Sequence, residues 1–150
     1  MIYRKATFAD VEAIYELVAA YAAEGVMLAR SRNTLYETLR DMVVAIDDDG
    51  TLAGAGGLHI IWDKLAEVRT MAVSPQKRRR GIGAEIVRRL LQEGEALGIE
   101  KFFTLTYQPE FFKALGFTVI NKEELPHKVW KECIDCPKFP NCDEIAMVKV

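Results

Sequence analysis

Apolar positions recur at helical spacing soon after the start of the chain. Val11, Ile14, Leu17, Val18 and Tyr21 form one stripe, predicting a helix with that face buried. Thr7 can cap it, with Asp10 three residues on as a capping-box partner, and Gly25 ends it. A short strand over 2–6 precedes it. A second, shorter helix is predicted over 33–40, capped by Ser31 or Asn33, with Leu35 and Leu39 inward. The pattern then changes to β-favouring runs. A strand over 42–46 leads through Asp47-Asp48-Asp49-Gly50, a strong hairpin turn, into a long strand over 51–62. Gly54, Gly56 and Gly57 on that strand point to bulges or to close packing against its backbone. Asp63-Lys64 turns the chain into a strand over 67–73, with Val68, Met71 and Val73, which Pro75 stops. Helical spacing returns with Ile82, Ile86, Leu90 and Leu91, and Leu97-Gly98 closes that helix. A strand over 99–106 follows, then a short helix over 110–115 that starts near Pro109 and ends at Gly116. Runs over 117–120 and 145–148 read as closing strands. Periodicity alone thus supports an α/β domain with a central mixed sheet.

Composition narrows the function classes. The 150 residues fit one domain, and 50% apolar with 28% charged is ordinary for a soluble globular chain. A net charge of −2 argues against nucleic acid or an anionic membrane as the main partner. No apolar run approaches the ~20 residues of a membrane helix. Met1 to Lys5 does not lead into a signal-peptide core, so a cytoplasmic location is expected. The three cysteines, Cys133, Cys136 and Cys142, do not make a disulfide framework. With His127 upstream they offer four ligands at zinc-like spacing. Reduced structural thiols or a redox-active pair explain them equally, and no metal is assigned.

Candidate chemistry gathers around the turn between the 67–73 strand and the helix that opens at Ile82. Gly81 and Gly83 let a ligand approach the backbone, the helix start offers unpaired N–H groups, and Arg78, Arg79 and Arg80 add positive charge. Such a turn suits a phosphate or pyrophosphate. No Gly-Lys-Ser/Thr follows, and the three-glycine dinucleotide spacing is missing. On the connector between the first two helices, Arg30 and Arg32 could grip a carboxylate bidentately or be ordinary solvated arginines.

Arg78-Arg79-Arg80-Gly81-Ile82-Gly83 after Val73-Ser74-Pro75 resembles the acetyl-CoA loop of the GNAT N-acetyltransferases. Phe112-Lys113-Ala114-Leu115-Gly116-Phe117 resembles that family's second landmark, Tyr-Glu-Lys-Leu-Gly-Phe. The resemblance implies the order β-α-α-β-β-β-α-β-α-β-β around a mixed, mostly antiparallel sheet. It also implies acetyl-CoA as co-substrate, held by Met71, Ala72, Val73, Arg78, Arg79, Arg80, Gly81, Ile82, Gly83 and Ala84. In many members the landmark tyrosine protonates the departing thiolate. Phe112 has no proton to give, which leaves Tyr107, Thr106 or a water for that task. Tyr107 reads equally well as an amphipathic residue at a strand end.

Blocks around Gly25 to Arg32, Ala66 to Val73, Leu105-Thr106 and Glu124-Leu125-Pro126 resemble, more narrowly, the acetyltransferase domain of bacterial N-acetylglutamate synthases. That resemblance implies L-glutamate as acceptor and a place in arginine biosynthesis. Arg30 would grip the substrate, with Arg32, Arg69 or Lys128 as helpers, Glu67 would be the base, and Thr106 would belong to the acid side. Glu67 is also readable as a surface charge or as the partner of Arg69. By the same resemblance, these 150 residues are expected to correspond to the acetyltransferase part without the amino-acid-kinase-like domain, and the cysteine-bearing segment to stand in place of the basic tail of the longer synthases. Glutamine, another amino acid or a protein amine stays open as acceptor, as do a homodimer and a CoA-binding sensor or interaction module.

Overall fold

The computed structural model describes residues 1–78, 80–125 and 144–150. Strand β1 (Ile2–Lys5) leads through a 3-10 turn, Phe8–Asp10, into helix α1 (Val11–Ala23) and then α2 (Arg32–Glu37). Next come β2 (Met42–Ile46), β3 (Leu52–Trp62), β4 (Leu65–Val73) and the long helix α3 (Ile82–Leu97). Strand β5 (Lys101–Thr106), helix α4 (Pro109–Lys113), β6 (Thr118–Val119) and β7 (Ile145–Lys149) complete the order. The described residues form one seven-stranded sheet, β1-β2-β3-β4-β5-β7-β6, in which β4 and β5 are parallel and the other pairs antiparallel. This is the mixed sheet and the element order the resemblance implies.

Alternation along the strands sends side chains to two separate layers. Val43, Ala45, Leu58 and Val68 meet Ile82, Ile86, Val87 and Leu90 of α3 on one face. Met42, Val44 and Ala55 meet Val11, Ile14 and Val18 of α1 and Leu35 of α2 on the other. Each fully buried Val, Leu or Ile contributes about 1.5–3 kcal/mol relative to exposure. The start of α1 is fastened by Asp10, which accepts the Thr7 backbone N–H at 2.7 Å and hydrogen bonds from the two terminal guanidinium nitrogens of Arg4 at 2.8 and 3.0 Å. Glycine lets the sheet and α3 close up. A Cβ on Gly94 would lie 2.4 Å from the Phe102 ring.

Element boundaries differ from the sequence reading, and three of the differences have a local cause. The second helix stops at Glu37 because Thr38 turns its hydroxyl onto the Thr34 carbonyl (2.8 Å), and 39–41 continue as a 3-10 turn. Strand β5 begins at Lys101, since Ile99 is still bonded to the Gly94 carbonyl at the end of α3. Strand β6 is only Thr118–Val119, because Phe117 is bonded back to the Phe112 carbonyl at the end of α4.

Two irregularities in β4 matter for function. The ladder to β3 runs from Ala55↔Ala72 to Gly57↔Arg69, so β4 carries an extra residue there, and Thr70 takes φ +58°. A β-branched residue in the left-handed region is strained by roughly 1–3 kcal/mol and persists only where its surroundings impose it. On its other edge β4 pairs with β5 only at Leu65↔Lys101, Ala66↔Phe102 and Glu67↔Phe103. Beyond these, the Thr104 hydroxyl bonds the Val68 carbonyl at 2.9 Å, and the backbone pairing ends.

Candidate active site

Where that pairing ends, a cavity of about 730 Å³ opens between β4 and β5, in the size range of small-molecule sites. One end is built from the turn into α3. Gly81 sits at the N-cap with φ +75°, a backbone geometry glycine adopts at no steric cost. Gly81, Ile82, Gly83, Ala84, Lys77 and Arg78 line this end. The turn is anchored from behind by the β2–β3 hairpin. Lys77 Nζ reaches Asp47 at 2.9 Å and the Thr51 hydroxyl at 2.6 Å, while Arg80 Nη1 reaches Asp47 at 3.1 Å. Hydrogen bonds from Lys77 and then Arg80 hold the Asp47 carboxyl well below the usual carboxylate range. Arg80 therefore braces the turn and is not among the residues lining the cavity.

The wall in the middle is the part of β4 that does not pair with β5: Met71, Ala72 and Val73, the last with its carbonyl bonded by the Tyr21 hydroxyl at 2.6 Å. Its backbone groups can pair with an extended, amide-bearing ligand as a strand would. The far end is polar. Glu67, Arg69, Arg30, Thr106 and Tyr107 all face the same cavity, together with Glu144. Glu67 and Arg69 are two apart on β4 and so share a face; Arg69 Nη1 lies 3.9 Å from Glu67 Oε1, with both side chains only about a tenth exposed (10% and 11%). The structure thus joins two alternatives of the sequence reading, since Glu67 lines the cavity and also contacts Arg69. The Thr106 hydroxyl accepts the Gln108 backbone N–H at 2.8 Å, which leaves its own proton to donate. Phe112 forms part of the wall, packed edge-on to Phe111 and Phe117 at 5.0 and 5.2 Å.

The two connector arginines part company. Arg30 lines the cavity, whereas Arg32 binds Glu12 at 2.6 and 3.2 Å and lies 4.1 Å from the Tyr15 ring centroid. Arg32 is a solvated surface arginine here, because α2 starts at that residue and carries it towards α1. Arg79, Lys128, His127 and the three cysteines lie outside the described residues. Among the described residues no group of three His, Cys, Asp or Glu could hold a metal ion, and no helix is long and apolar enough to cross a membrane. Sequence reasoning did not single out Lys77, Thr104, Gln108 or Glu144 as lining residues. Tyr21 was legible only as the last residue of a buried stripe, and only the fold shows its hydroxyl at the cavity.

Residues 11–117 match the model of the acetyltransferase (GNAT) family. An uncharacterized N-acetyltransferase of Chlorobaculum tepidum is 42% identical over 97% of this chain and 94% of its own length. An amino-acid acetyltransferase of Mycobacterium tuberculosis is 40% identical over 87% of this chain and 76% of its own. Among solved structures, N-acetylglutamate synthase from Neisseria gonorrhoeae, complexed with coenzyme A and N-acetyl-glutamate, superposes with a TM-score of 0.89 at 25% identity. That match covers 99% of this chain and 34% of the longer protein.

Proposed function

The chain belongs to the acetyltransferase (GNAT) family, with acetyl-CoA as its co-substrate, and from that premise we propose that it acetylates the amine of a free amino acid, L-glutamate first among them. One observation carries the reading: a single cavity has a glycine turn at one end and Glu67, Arg30 and Arg69 at the other. The turn, with Arg78 and the N-terminus of α3, suits the phosphates of acetyl-CoA, and the β4 edge suits its amide-bearing arm. Arg30 suits a carboxylate of the acceptor, since a guanidinium fork matches it bidentately.

Glu67 takes a proton from the acceptor ammonium, directly or through one water, and frees the lone pair for attack on the thioester carbonyl. Backbone N–H groups near Met71, where the bulge at Thr70 departs from the regular ladder, stabilise the carbonyl oxygen as it becomes negative. Thr106, Tyr107 or a water passes a proton to the departing thiolate, a task Phe112 cannot perform, and recovers it through solvent from the nitrogen, which loses its second proton as the amide forms. Transfer is direct, between two substrates held in one cavity. With glutamate as acceptor the product is N-acetylglutamate, which suits a role in arginine biosynthesis.

Glu144 favours a second reading. It adds a carboxylate to a cavity that Arg30 and Arg69 also line, and an acceptor with a neutral side chain, such as glutamine, needs no second cation to match it. A CoA-release assay across free amino acids, run with Glu67→Gln and Arg30→Ala beside the native chain, tests both. Turnover with glutamate that falls in kcat in Glu67→Gln and needs more glutamate in Arg30→Ala is the expected result. A preference for glutamine selects the second acceptor, and no turnover with any amino acid removes both readings.

A further inference from the structure

The reaction outlined above gives Tyr21 no task, yet its hydroxyl makes two hydrogen bonds on the cavity wall. It donates to the Val73 carbonyl at 2.6 Å and accepts from Arg78 Nη2 at 2.9 Å. The Arg78 guanidinium carbon also lies 5.6 Å from the Tyr21 ring centroid. Val73 ends β4, Arg78 opens the glycine turn, and Tyr21 lies in the last turn of α1. The Tyr21 backbone carbonyl receives the N–H groups of Glu24 and Val26 at 3.1 and 3.3 Å, where the connector departs towards Arg30. One side chain therefore joins three separate segments of the cavity wall.

The bonding roles are complementary. Donation to Val73 fixes the phenol proton and turns a lone pair towards Arg78. A guanidinium has five N–H groups, so the one given to Tyr21 leaves four for a ligand. Arg78 is exposed, and ordering a long exposed side chain is a cost that binding otherwise bears.

We propose that Tyr21 is a positioning residue for the phosphate end of acetyl-CoA: its hydroxyl holds Arg78 in place beside the glycine turn before the co-substrate arrives. The inference rests on the placement of the phosphates at that turn and holds for any acceptor amine.

Calorimetric titration of the full chain with CoA tests it, using the native protein, Tyr21→Phe, Arg78→Gln and the double variant. Pantetheine, which has no phosphates, is the second probe, read by competition. Tyr21→Phe keeps the ring and is expected to weaken CoA roughly three- to tenfold. It should not weaken pantetheine, and it should add little on top of Arg78→Gln, because the hydroxyl acts through that arginine. An unchanged CoA affinity in Tyr21→Phe overturns the proposal. Equal weakening of pantetheine does so too, since the hydroxyl would then merely support β4, as do losses that multiply in the double variant. Arg78→Gln separates the premise from the inference: if it leaves CoA affinity intact, the phosphate placement itself fails and Tyr21 loses its role with it. If Arg78→Gln weakens CoA while Tyr21→Phe does not, only the role of Tyr21 fails.

Discussion

The N···O separation of 3.9 Å between Arg69 and Glu67 is an ion contact and too long for a hydrogen bond. Replacing the carboxylate by its isostere keeps the shape and removes the base. Glu67→Gln is expected to lower kcat by about 10²–10⁴-fold, while titration finds CoA affinity preserved; a fall of less than about tenfold would take Glu67 out of that role. The acceptor side turns on Arg30. Losing a charge-assisted hydrogen bond costs about 1.5–3 kcal/mol, so Arg30→Ala should raise the acceptor KM roughly 10- to 100-fold. Arg32→Ala should leave that KM alone, because its guanidinium is engaged by Glu12. The chain alone could not separate these two arginines. Both sit on one connector, and only the point at which α2 starts decides which of them faces the cavity.

Elements are held by a few local devices, and two give measurable signs. Burial by itself pushes the Asp10 carboxyl up, but the bonds from Arg4 and from the Thr7 backbone carry it below its ordinary value. A depressed carboxyl stabilises the fold at pH values above the ordinary carboxylate range, and that contribution is lost as pH falls through the folded value. Urea unfolding at pH 7 should find Asp10→Asn about 1–2 kcal/mol less stable than the native chain. The gap should narrow below about pH 4, and a gap that stays constant into acid would show that the charge is not what matters. Gly94 sets two effects against each other. Alanine is favoured in a helix by up to about 1 kcal/mol, but its methyl would meet the Phe102 ring at 2.4 and 2.7 Å and Leu58 at 3.1 Å. Overpacking of a rigid ring costs about 1–3 kcal/mol. Gly94→Ala is therefore expected to destabilise by about 1 kcal/mol, and a gain in urea midpoint would reverse the argument. The cap at Thr7 and Asp10 was legible in the sequence because it is local, with its partners three residues apart. The bulge at Thr70 was not, since nothing in the composition of Arg69-Thr70-Met71 announces a positive φ. It follows from the register that β3 imposes on β4.

At the scale of the molecule, the glycine turn, the phenylalanine landmark and the order of elements could be read from the chain, because each is a short-range pattern. The way in which Tyr21, Val73 and Arg78 converge could not, because their separations of 52 and 57 residues are closed only by the fold. The same fold leaves its sheet weakly joined in the middle. Between β4 and β5 there are three parallel residue pairs and one side-chain bond from Thr104, and then the cavity. A co-substrate lying along the unpaired part of β4, against the wall formed by Thr106 at the end of β5 and Tyr107 just beyond it, would span that gap. Its binding should then stabilise the whole fold and not a single loop. At CoA concentrations a hundredfold above Kd, linkage adds about 2.7 kcal/mol, which for a chain of this length is a rise in Tm of roughly 5–10 °C. Amide exchange should slow at both ends of the gap, over 70–73 in β4 and over 104–106 in β5. Protection confined to the glycine turn and the start of α3 would mean that CoA docks by its phosphates alone, and the β4 edge would lose its place in binding.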